Sequence, residues 1–442
     1  MIWSNGFGDM QLDETILKKI RAERDARFKK LKLPADFIAP NYRGRSIVNL
    51  AASVIKILGG RIATAPLDAE ILADVSGDVQ RIVLVIVDAL GYHKLLEALD
   101  AKPRNGFHAL AQNGARIVPL TSTFPSTTTA ALTSLWTGYT PAEHGFMGYQ
   151  LFLREYGART DMIYFSPVAT RNLGREQLLD VGLEPEHFLA VPSLPQTLAR
   201  VHVPVDHFIE EPFVESALSQ VQIRGARTLT GFIATSDLWV ALRDCVEAHR
   251  GERALFMAYW SGVDNIAHKY GPSSETQIAE IANFAYSFER EFLSRLSRAA
   301  RAQTLFLLTA DHGQVDSPIA RAVNLHAHPD LRAHLTMDFT GDARAAYLHC
   351  RNGQVDAVRD YFATRFAEKF FLLNSFAALD AGLFGEGILA PEAEHRIGDL
   401  IALSRDDFYL WDRKEEPKLL GRHGALAEDE MLVPLLAARL DE

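Results

Sequence analysis

The sequence predicts an α/β fold, a three-layer α/β/α sandwich in which helices cover both faces of a mostly parallel central sheet. Three continuous apolar runs of strand length, at residues 81–87, 254–260 and 304–309, support this prediction. Such unbroken runs are typical of strands that are buried on both faces, as in parallel sheets. Long helical patterns lie between the runs, for example at residues 275–300. Strands that alternate with helices indicate a layered α/β sheet.

The first part of the chain, residues 1–75, is predicted to be an N-terminal helical appendage. Residues 13–31 are charged and helix-favouring, with apolar side chains at helical spacing, and residues 46–58 show a second, more apolar helical pattern. We find no candidate chemistry in this segment.

The remaining residues, 76–442, are predicted to form the domain that carries the chemistry. The chain has 442 residues and is 48% hydrophobic, so it is long and apolar enough to bury a sizeable core. Residues 150–250 and 330–405 are less regular and separate the candidate motifs. We interpret both stretches as insertions, and such segments commonly carry substrate selection.

Composition and charge exclude several functional classes. The net charge of −10 argues against broad nucleic-acid binding, which relies on a basic surface. Cys245 and Cys350 are too few for a disulfide framework, so a reducing compartment is the simpler interpretation. The N-terminus lacks a signal-peptide pattern, and the apolar run at residues 82–87 is only of strand length. We therefore expect a cytoplasmic protein without a membrane span, and we make no prediction of its oligomeric state.

Candidate metal ligands follow the predicted strands. Asp88 closes the first run, and Asp311 and His312 come just after the third. Ligands of α/β sheets bind beyond the carboxyl ends of the strands, which is where these side chains are expected. Asp264 and His268 stand four residues apart, so one helical turn would place both on the same face. Carboxylate oxygen and imidazole nitrogen suit zinc, manganese or iron.

Glycines accompany two of the motifs. Gly313 follows Asp311 and His312, and Gly421 and Gly424 lie on either side of the Arg422-His423 pair. Glycine allows a sharp turn or a close approach of the backbone, so His423 is also a candidate ligand. Each motif alone has a structural explanation, such as a helix cap, a surface contact or a loop. His326 and His328 are weaker candidates for lining the pocket.

A hydroxyl-rich segment, residues 121–138, is predicted to be a turn followed by a short helix that stops at Gly138. Ser126, Thr127 and Thr128 lie at the expected start of this helix. The free amides and positive dipole of a helix N-terminus favour both an alkoxide and a bound phosphate. One hydroxyl is therefore expected to cap the helix while a neighbouring one acts as a nucleophile.

Taken in order, these motifs resemble the alkaline phosphatase superfamily, in the branch of the type I phosphodiesterases and nucleotide pyrophosphatases. The resemblance covers about residues 80–435 and is strongest at residues 87–91, 124–145, 263–272, 309–314 and 421–424. An ordered set of five motifs is more specific than any one of them. The resemblance implies an alkaline-phosphatase-like fold and two divalent metal ions, zinc first and manganese or iron as alternatives.

The resemblance also implies a role for each ligand. One metal would be bound by Asp264, His268 and His423, and the other by Asp88, Asp311, His312 and the nucleophile. In the superfamily, the nucleophile lies nine residues before the threonine of the Thr-Gly pair that ends its helix. Counting back from Thr137 gives Thr128. Thr127 is a lesser candidate, and an alternative alignment of the segment Thr123-Phe124-Pro125 makes Thr123 another.

Two departures from the family pattern concern the substrate. Tyr149 stands where the family usually has an asparagine that hydrogen-bonds the phosphoryl group, so Tyr149 is a candidate substrate-binding residue. No arginine is assigned as the clamp of a phosphomonoesterase, although Arg154 and Arg159 lie nearby. The sulfatase signature is absent from the sequence.

The predicted function is hydrolysis of a small phosphate ester, most specifically a phosphodiester or nucleotide pyrophosphate, through a phosphothreonine at a two-metal site. One alternative is a phosphomonoesterase or phosphotransferase on the same scaffold. A second alternative is a metal-binding protein without catalysis.

Overall fold

The computed structural model describes residues 14–100, 104–112 and 114–441. Strands are numbered β1 to β18 and helices α1 to α18 along the chain. The central sheet has the spatial order β2 (Arg116–Thr121), β18 (Leu432–Arg439), β9 (Thr304–Thr309), β1 (Arg81–Val87), β8 (Ala254–Trp260), β6 (Val205–Glu210), β7 (Thr228–Phe232). Only β18 runs antiparallel to its neighbours, so the sheet is mostly parallel as predicted.

The three predicted core strands are confirmed as β1, β8 and β9. Every residue of each strand is buried, as expected for strands covered on both faces. They are adjacent in the order β9, β1, β8 and end at the same level, because Val87 pairs with Trp260 and Ile86 pairs with Thr309. The segments that follow these strands therefore meet at one edge of the sheet.

Helices form two groups, one on each face of the central sheet, which confirms the three-layer prediction. The first group comprises α2 (Ile47–Ile57), α6 (Thr128–Thr137), α7 (Pro141–His144), α8 (Pro185–Phe188), α9 (Leu194–Ala199) and α10 (Ala217–Gln222). The second comprises α4 (Tyr92–Asp100), α5 (Gly106–Gln112), α11 (Thr235–Ala248), α12 (Gly262–Tyr270), α13 (Glu275–Ser287) and α14 (Arg298–Arg301). The helix predicted at residues 275–300 is interrupted after Ser287 by a π-helical turn and a 3-10 turn.

A second sheet consists of antiparallel pairs and lies beside the central one. Its order is β14 (Phe370–Asn374), β15 (Leu400–Ser404), β13 (Ala345–Leu348), β12 (Thr340–Gly341), β3 (Gln150–Leu153), β4 (Ala158–Asp161), β5 (Ser166–Pro167). Two small pairs accompany it, β10 (Val315–Asp316) with β17 (Gly421–Arg422), and β11 (Ala322–Asn324) with β16 (Tyr409–Trp411). The two predicted insertions thus meet in one sheet, although the first also supplies β6 and β7 to the central sheet.

The N-terminal segment contains α1 (Glu14–Arg27) and α3 (Ala69–Leu72) as well as α2. Residue 13, where the first predicted helix begins, lies outside the described residues. The first predicted helix ends at Arg27, four residues early, and is followed by a 3-10 turn at Lys29–Leu31. The second is confirmed, and nearly all of α2 is buried and contacts α6. Its N-cap residue Ser46 also pairs with Thr121 at the end of β2. The division at residue 75 stays a prediction, but the segment packs against the helix that carries the candidate nucleophile.

The last helices are α15 (Pro329–Ala333), α16 (Val355–Arg365), α17 (Ser375–Asp380) and α18 (Glu428–Met431). Across the parts of the chain that the structure describes, no helix has the length and apolar character needed to cross a bilayer.

Candidate active site

The first group of candidate ligands, Asp88, Asp311 and His312, is buried at the carboxyl ends of β1 and β9. His312 Nε2 lies 3.5 Å from Asp88 Oδ1 and 3.5 Å from Asp311 Oδ2. Asp88 Oδ1 and Asp311 Oδ2 are themselves buried without a hydrogen-bond partner. Burying carboxylate oxygens costs free energy unless they are paired, so a bound cation would stabilise this cluster.

The second group, Asp264, His268 and His423, is partly exposed. Asp264 and His268 lie on α12, as the spacing predicted, with His268 Nε2 at 3.3 Å from Asp264 Oδ2. His423 arrives from the distant loop after β17, and its Nε2 lies 3.9 Å from Asp264 Oδ1. Tertiary structure therefore brings His423 next to His268, which lies 155 residues earlier in the chain.

All three histidines are held in the same tautomer. In each, Nδ1 lies within hydrogen-bonding distance of a backbone carbonyl, which can only accept, so Nδ1 carries the proton and Nε2 is the nitrogen that can accept a hydrogen bond or bind a metal ion. The pairs are His268 with Gly421 (2.8 Å), His312 with Gly313 (3.0 Å) and His423 with Ser126 (3.0 Å). Metal-binding histidines are commonly fixed in this way by a hydrogen bond from the second nitrogen.

The two groups are neighbours. The rings of His312 and His423 stack with centroids 3.8 Å apart and planes at 15°. One imidazole from each group thus forms the wall between them, and a single substrate atom can lie within reach of both groups.

Both groups fit divalent metal ions. Two ligands at about 2.1 Å from a tetrahedral ion are about 3.4 Å apart, close to the separations within each group. Burial, with the neighbouring Asp311 carboxylate as the second cause, raises the pKa of Asp88 well above its usual range. Burial also raises the pKa of Asp311. A bound dication would offset both costs.

Three further residues support the ligands and were not found by sequence analysis. The Tyr259 hydroxyl donates to Asp88 Oδ2, and the Gln314 amide donates to Asp264 Oδ1. The Ala89 amide donates to Asp311 Oδ1 at 3.2 Å, and Ala89 itself has a positive φ of 59°. Tyr259 lies inside an apolar strand, where nothing in the local pattern distinguishes it from a core residue.

Thr128 is the first residue of α6 and points at the wall between the two groups. Its Oγ1 lies 3.1 Å from His312 Nε2. Because Nδ1 of this ring is protonated, the Thr128 hydroxyl donates to Nε2. The hydroxyl therefore lies at a helix N-terminus and beside a candidate metal ligand.

The neighbouring threonines have other partners. Thr127 occupies the N-cap position, but its hydroxyl donates to Asp342 Oδ1 at 3.2 Å and does not cap the helix. The expectation that a hydroxyl beside the nucleophile caps α6 is therefore wrong for the N-cap residue, because the carboxylate of Asp342, which follows β12, accepts its hydrogen bond. The Thr123 hydroxyl is buried and donates to the Pro125 carbonyl at 3.0 Å.

The glycines around His423 have the predicted role of close backbone approach. A Cβ at Gly421 would lie 2.5 Å from the Ala267 carbonyl oxygen, and one at Gly424 would lie 2.6 Å from the Cβ of Asp342. Gly424 also has φ of 120°, which side chains rarely tolerate. The first contact holds the His423 loop against α12, and the second holds it against Asp342.

A cleft of about 1510 Å³ opens from Thr128, Asp264, His268 and His423 toward the second sheet. Tyr149 lines it, and its hydroxyl donates to Asp161 Oδ2 at 2.5 Å. The substrate-binding role of Tyr149 stays a prediction.

Of the first two arginines after Tyr149 in the sequence, one lines this cleft and the other lies outside it. Arg159 lines it and forms an ion pair with Asp412, whereas Arg154 pairs with Glu392 on the surface. Neither His326 nor His328 is among the described residues that line the cleft.

A family model described as type I phosphodiesterase/nucleotide pyrophosphatase matches residues 82–426, a range that includes all six candidate ligands and the threonine turn. The chain belongs to the type I phosphodiesterase/nucleotide pyrophosphatase family. Membership of this family supports hydrolysis of a phosphate ester as the general activity. A search of curated proteins finds no match.

Solved structures of similar fold agree with this family. Murine ectonucleotide pyrophosphatase/phosphodiesterase 5 is 20% identical with a TM-score of 0.58, over 81% of this chain and 88% of that chain. The human protein of the same name is 19% identical, with the same TM-score and coverage. Phosphonoacetate hydrolase from Sinorhizobium meliloti 1021 is 17% identical with a TM-score of 0.54, over 82% and 90% of the two chains. The predicted alkaline-phosphatase-like fold is thereby confirmed.

Asp342 gives a prediction for the pH dependence of stability. Burial raises its pKa from 3.8 to about 7, so the folded state keeps this proton to a higher pH than the unfolded state does. Its contribution to stability is complete below pH 3.8 and is lost as the pH rises through 7. Between pH 5 and pH 8 this loss is on the order of 2–3 kcal/mol.

Between pH 5 and pH 8, the free energy of unfolding of the wild type is therefore expected to fall by about 2–3 kcal/mol more than that of Asp342→Asn. Urea unfolding of both proteins in chelator, which excludes metal binding, measures the difference. The loss of hydrogen bonds in the variant is independent of pH and cancels in the comparison. Parallel pH curves for the two proteins would contradict the prediction.

Proposed function

We propose that this family member is a metal-dependent phosphodiesterase or nucleotide pyrophosphatase that acts through a phosphothreonine intermediate on Thr128. One observation carries the proposal. The Thr128 hydroxyl lies at the N-terminus of α6, 3.1 Å from His312 Nε2, where the two candidate metal groups adjoin. Thr127 and Thr123 have their hydroxyls engaged elsewhere.

Asp264, His268 and His423 would hold one metal ion, and Asp88, Asp311, His312 and Thr128 would hold the other. Zinc suits this mixed nitrogen and oxygen set, and manganese or iron are the alternatives. Two such ions supply charge stabilisation for the phosphoryl oxygens and lower the pKa of the threonine hydroxyl.

The protein positions the reacting groups. The Thr128 oxygen forms a bond to phosphorus while the bond from phosphorus to the leaving oxygen breaks, and the proton lost by the threonine hydroxyl ends on the leaving alcohol or phosphate. Water then cleaves the phosphothreonine, which releases the phosphorylated product and restores the hydroxyl. The first amides of α6 have no partners within the helix and favour the negative phosphoryl group.

The comparisons support a role for a threonine. The murine phosphodiesterase 5 relative has been solved as an inactive variant with alanine in place of a threonine, in complex with AMP. The cleft toward the second sheet has room for an ester substituent, and Tyr149 is proposed to contact it.

Hydrolysis rates of a matched pair of substrates test the proposal. Metal-loaded enzyme is expected to hydrolyse bis(4-nitrophenyl) phosphate with a kcat/KM about 10-fold or more above that for 4-nitrophenyl phosphate, because the cleft contacts the second ester group. The opposite preference would favour the phosphomonoesterase alternative. Release of nitrophenol with transfer of the phosphoryl group to an added alcohol would favour the phosphotransferase. Bound metal without turnover of either ester would favour the non-catalytic protein.

A further inference from the structure

Arg422 is a buried cation that the proposed mechanism does not use. Its side chain lines the cleft immediately before His423, yet only 7% of the residue is exposed. Its Nε and Nη2 atoms are buried without a hydrogen bond of ordinary geometry, and the Tyr409 hydroxyl is the polar group that interacts with this side chain. Among the described residues, no carboxylate forms an ion pair with it.

Other buried arginines of the described chain have partners. The arginines exposed by less than a tenth are Arg81, Arg344, Arg396 and Arg422. Arg344 is paired with Glu430, while Arg81 and Arg396 donate to backbone carbonyls. Arg159, also in the cleft, is neutralised by Asp412. Arg422 therefore differs both from the structural arginines and from its neighbour in the cleft.

Aromatic rings hold the guanidinium of Arg422 in place. It lies over the Tyr409 ring at 4.2 Å from the centroid and over the Trp411 ring at 5.3 Å. Trp411 also lines the cleft and has the Arg413 guanidinium 5.2 Å from its centroid. Stacking orients a guanidinium but leaves its edge donors free for hydrogen bonds.

An oxyanion is the ligand that fits such a group. Guanidinium remains charged in proteins, and burying it without a counter-charge is costly. Its planar donors match the two oxygens of a carboxylate or a phosphoryl group. Because the ring stack limits its movement, little further entropy is lost when it binds such a group.

We propose that Arg422 binds a second anionic group of the substrate, a carboxylate or phosphoryl group separate from the phosphorus that reacts. The preferred substrates are then phosphate esters with an additional negative charge on one substituent. This inference rests on the proposed function for the identity of the reaction, but the binding of the anion can be tested without turnover.

Two probe pairs that differ by one carboxylate test the inference. For binding, the pair is ethylphosphonate and 3-phosphonopropionate. For turnover, it is phenyl 4-nitrophenyl phosphate and 4-carboxyphenyl 4-nitrophenyl phosphate. Wild-type enzyme is expected to favour the carboxylated member of each pair. In Arg422→Gln, the affinity and the kcat/KM for the carboxylated member are expected to fall about 10- to 100-fold, and those for the other member should change about 3-fold or less. A charged hydrogen bond is lost only with the carboxylated member, so the ratio between the two members of each pair should fall in this variant.

Arg154→Gln is the matched control, because this arginine is exposed, pairs with Glu392 and lies outside the cleft. It is expected to leave both ratios unchanged. Thermal unfolding and metal content of each variant separate loss of anion binding from loss of structure. Should Arg422→Gln fail to fold, Arg422→Lys decides, because lysine lacks the two-pronged geometry and should reduce the ratio.

The outcomes distinguish this inference from the proposed function. In one outcome, the protein prefers 3-phosphonopropionate through Arg422 and yet hydrolyses neither ester. That result would support the anion site and contradict the proposed reaction. Equal wild-type affinity for the two phosphonates, or a ratio that persists in Arg422→Gln or in a folded Arg422→Lys, would overturn the inference.

Discussion

Thr128→Ala is expected to reduce kcat for a phosphodiester by about 10⁴-fold or more while both metal sites stay filled, because removal of a nucleophile eliminates the covalent route. Thr128 is the threonine of its cluster whose hydroxyl contacts a candidate metal ligand, through the 3.1 Å distance to His312 Nε2. Single-turnover kinetics and metal analysis of the purified variant measure the effect. Acid quenching of the wild-type reaction should also leave phosphate on Thr128, detectable by mass spectrometry.

Three control variants of the same turn separate the candidates. Thr128→Ser keeps a hydroxyl and is expected to retain part of the activity. Thr127→Val and Thr123→Ala remove hydroxyls that are bound to Asp342 and to the Pro125 carbonyl, and phosphoryl transfer should continue in both. Near-normal turnover by Thr128→Ala, or phosphate found on Thr127 or Thr123, would refute the assignment.

Removal of a metal ligand has the second large expected effect. Asp264→Asn should weaken metal binding at the Asp264, His268 and His423 site by about 100-fold or more, because loss of even an outer-shell partner costs about 10- to 100-fold. The Asp88 site should keep its ion, since its ligands follow β1 and β9, whereas Asp264 lies on α12. Elemental analysis after dialysis and kcat/KM for bis(4-nitrophenyl) phosphate measure the two effects, and turnover should fall along with the lost metal.

Glu415→Gln removes a carboxylate that lines the cleft but belongs to neither ligand group, so it is the matched control. Its metal content should equal that of the wild type. Chelator should abolish activity, and zinc, manganese or iron should restore it in the wild type and the control. Full activity in metal-free wild-type enzyme would exclude the two-metal mechanism.

Local patterns were enough to predict the central part of the fold. The runs that became β1, β8 and β9 are unbroken apolar segments, and only burial on both faces accommodates such a pattern. The spacing of Asp264 and His268 likewise depends only on the pitch of one helix. The interruption of the predicted helix after Ser287 was not predicted, because Phe288 and Phe292 continue its apolar pattern and are buried as before.

Residues that act through distant partners were not predictable. Asp342 lies in an irregular stretch, and only the meeting of the two sheets places it against Thr127. Tyr259 acquires its role in the same way, from Asp88, which is 171 residues away. Arg422 has nearer partners, because Tyr409 and Trp411 lie on the preceding strand β16, but no local pattern shows that their rings lie against the guanidinium. The cytoplasmic location, the identity of the metal and the role of Tyr149 stay predictions.

The sequence by itself determined the family, the order of the six ligands and the strands after which three of them lie. These features follow from residue type and from short spacings along the chain. Only the tertiary structure decided which hydroxyl faces the ligands, how the ligands divide into two adjoining groups and which buried arginine of the described chain lacks a carboxylate partner. The first two depend on contacts between segments more than a hundred residues apart, such as Thr128 with His312 and Ser126 with His423, which no local pattern records. The third depends on how the two successive strands β16 and β17 place Arg422 over Tyr409 and Trp411.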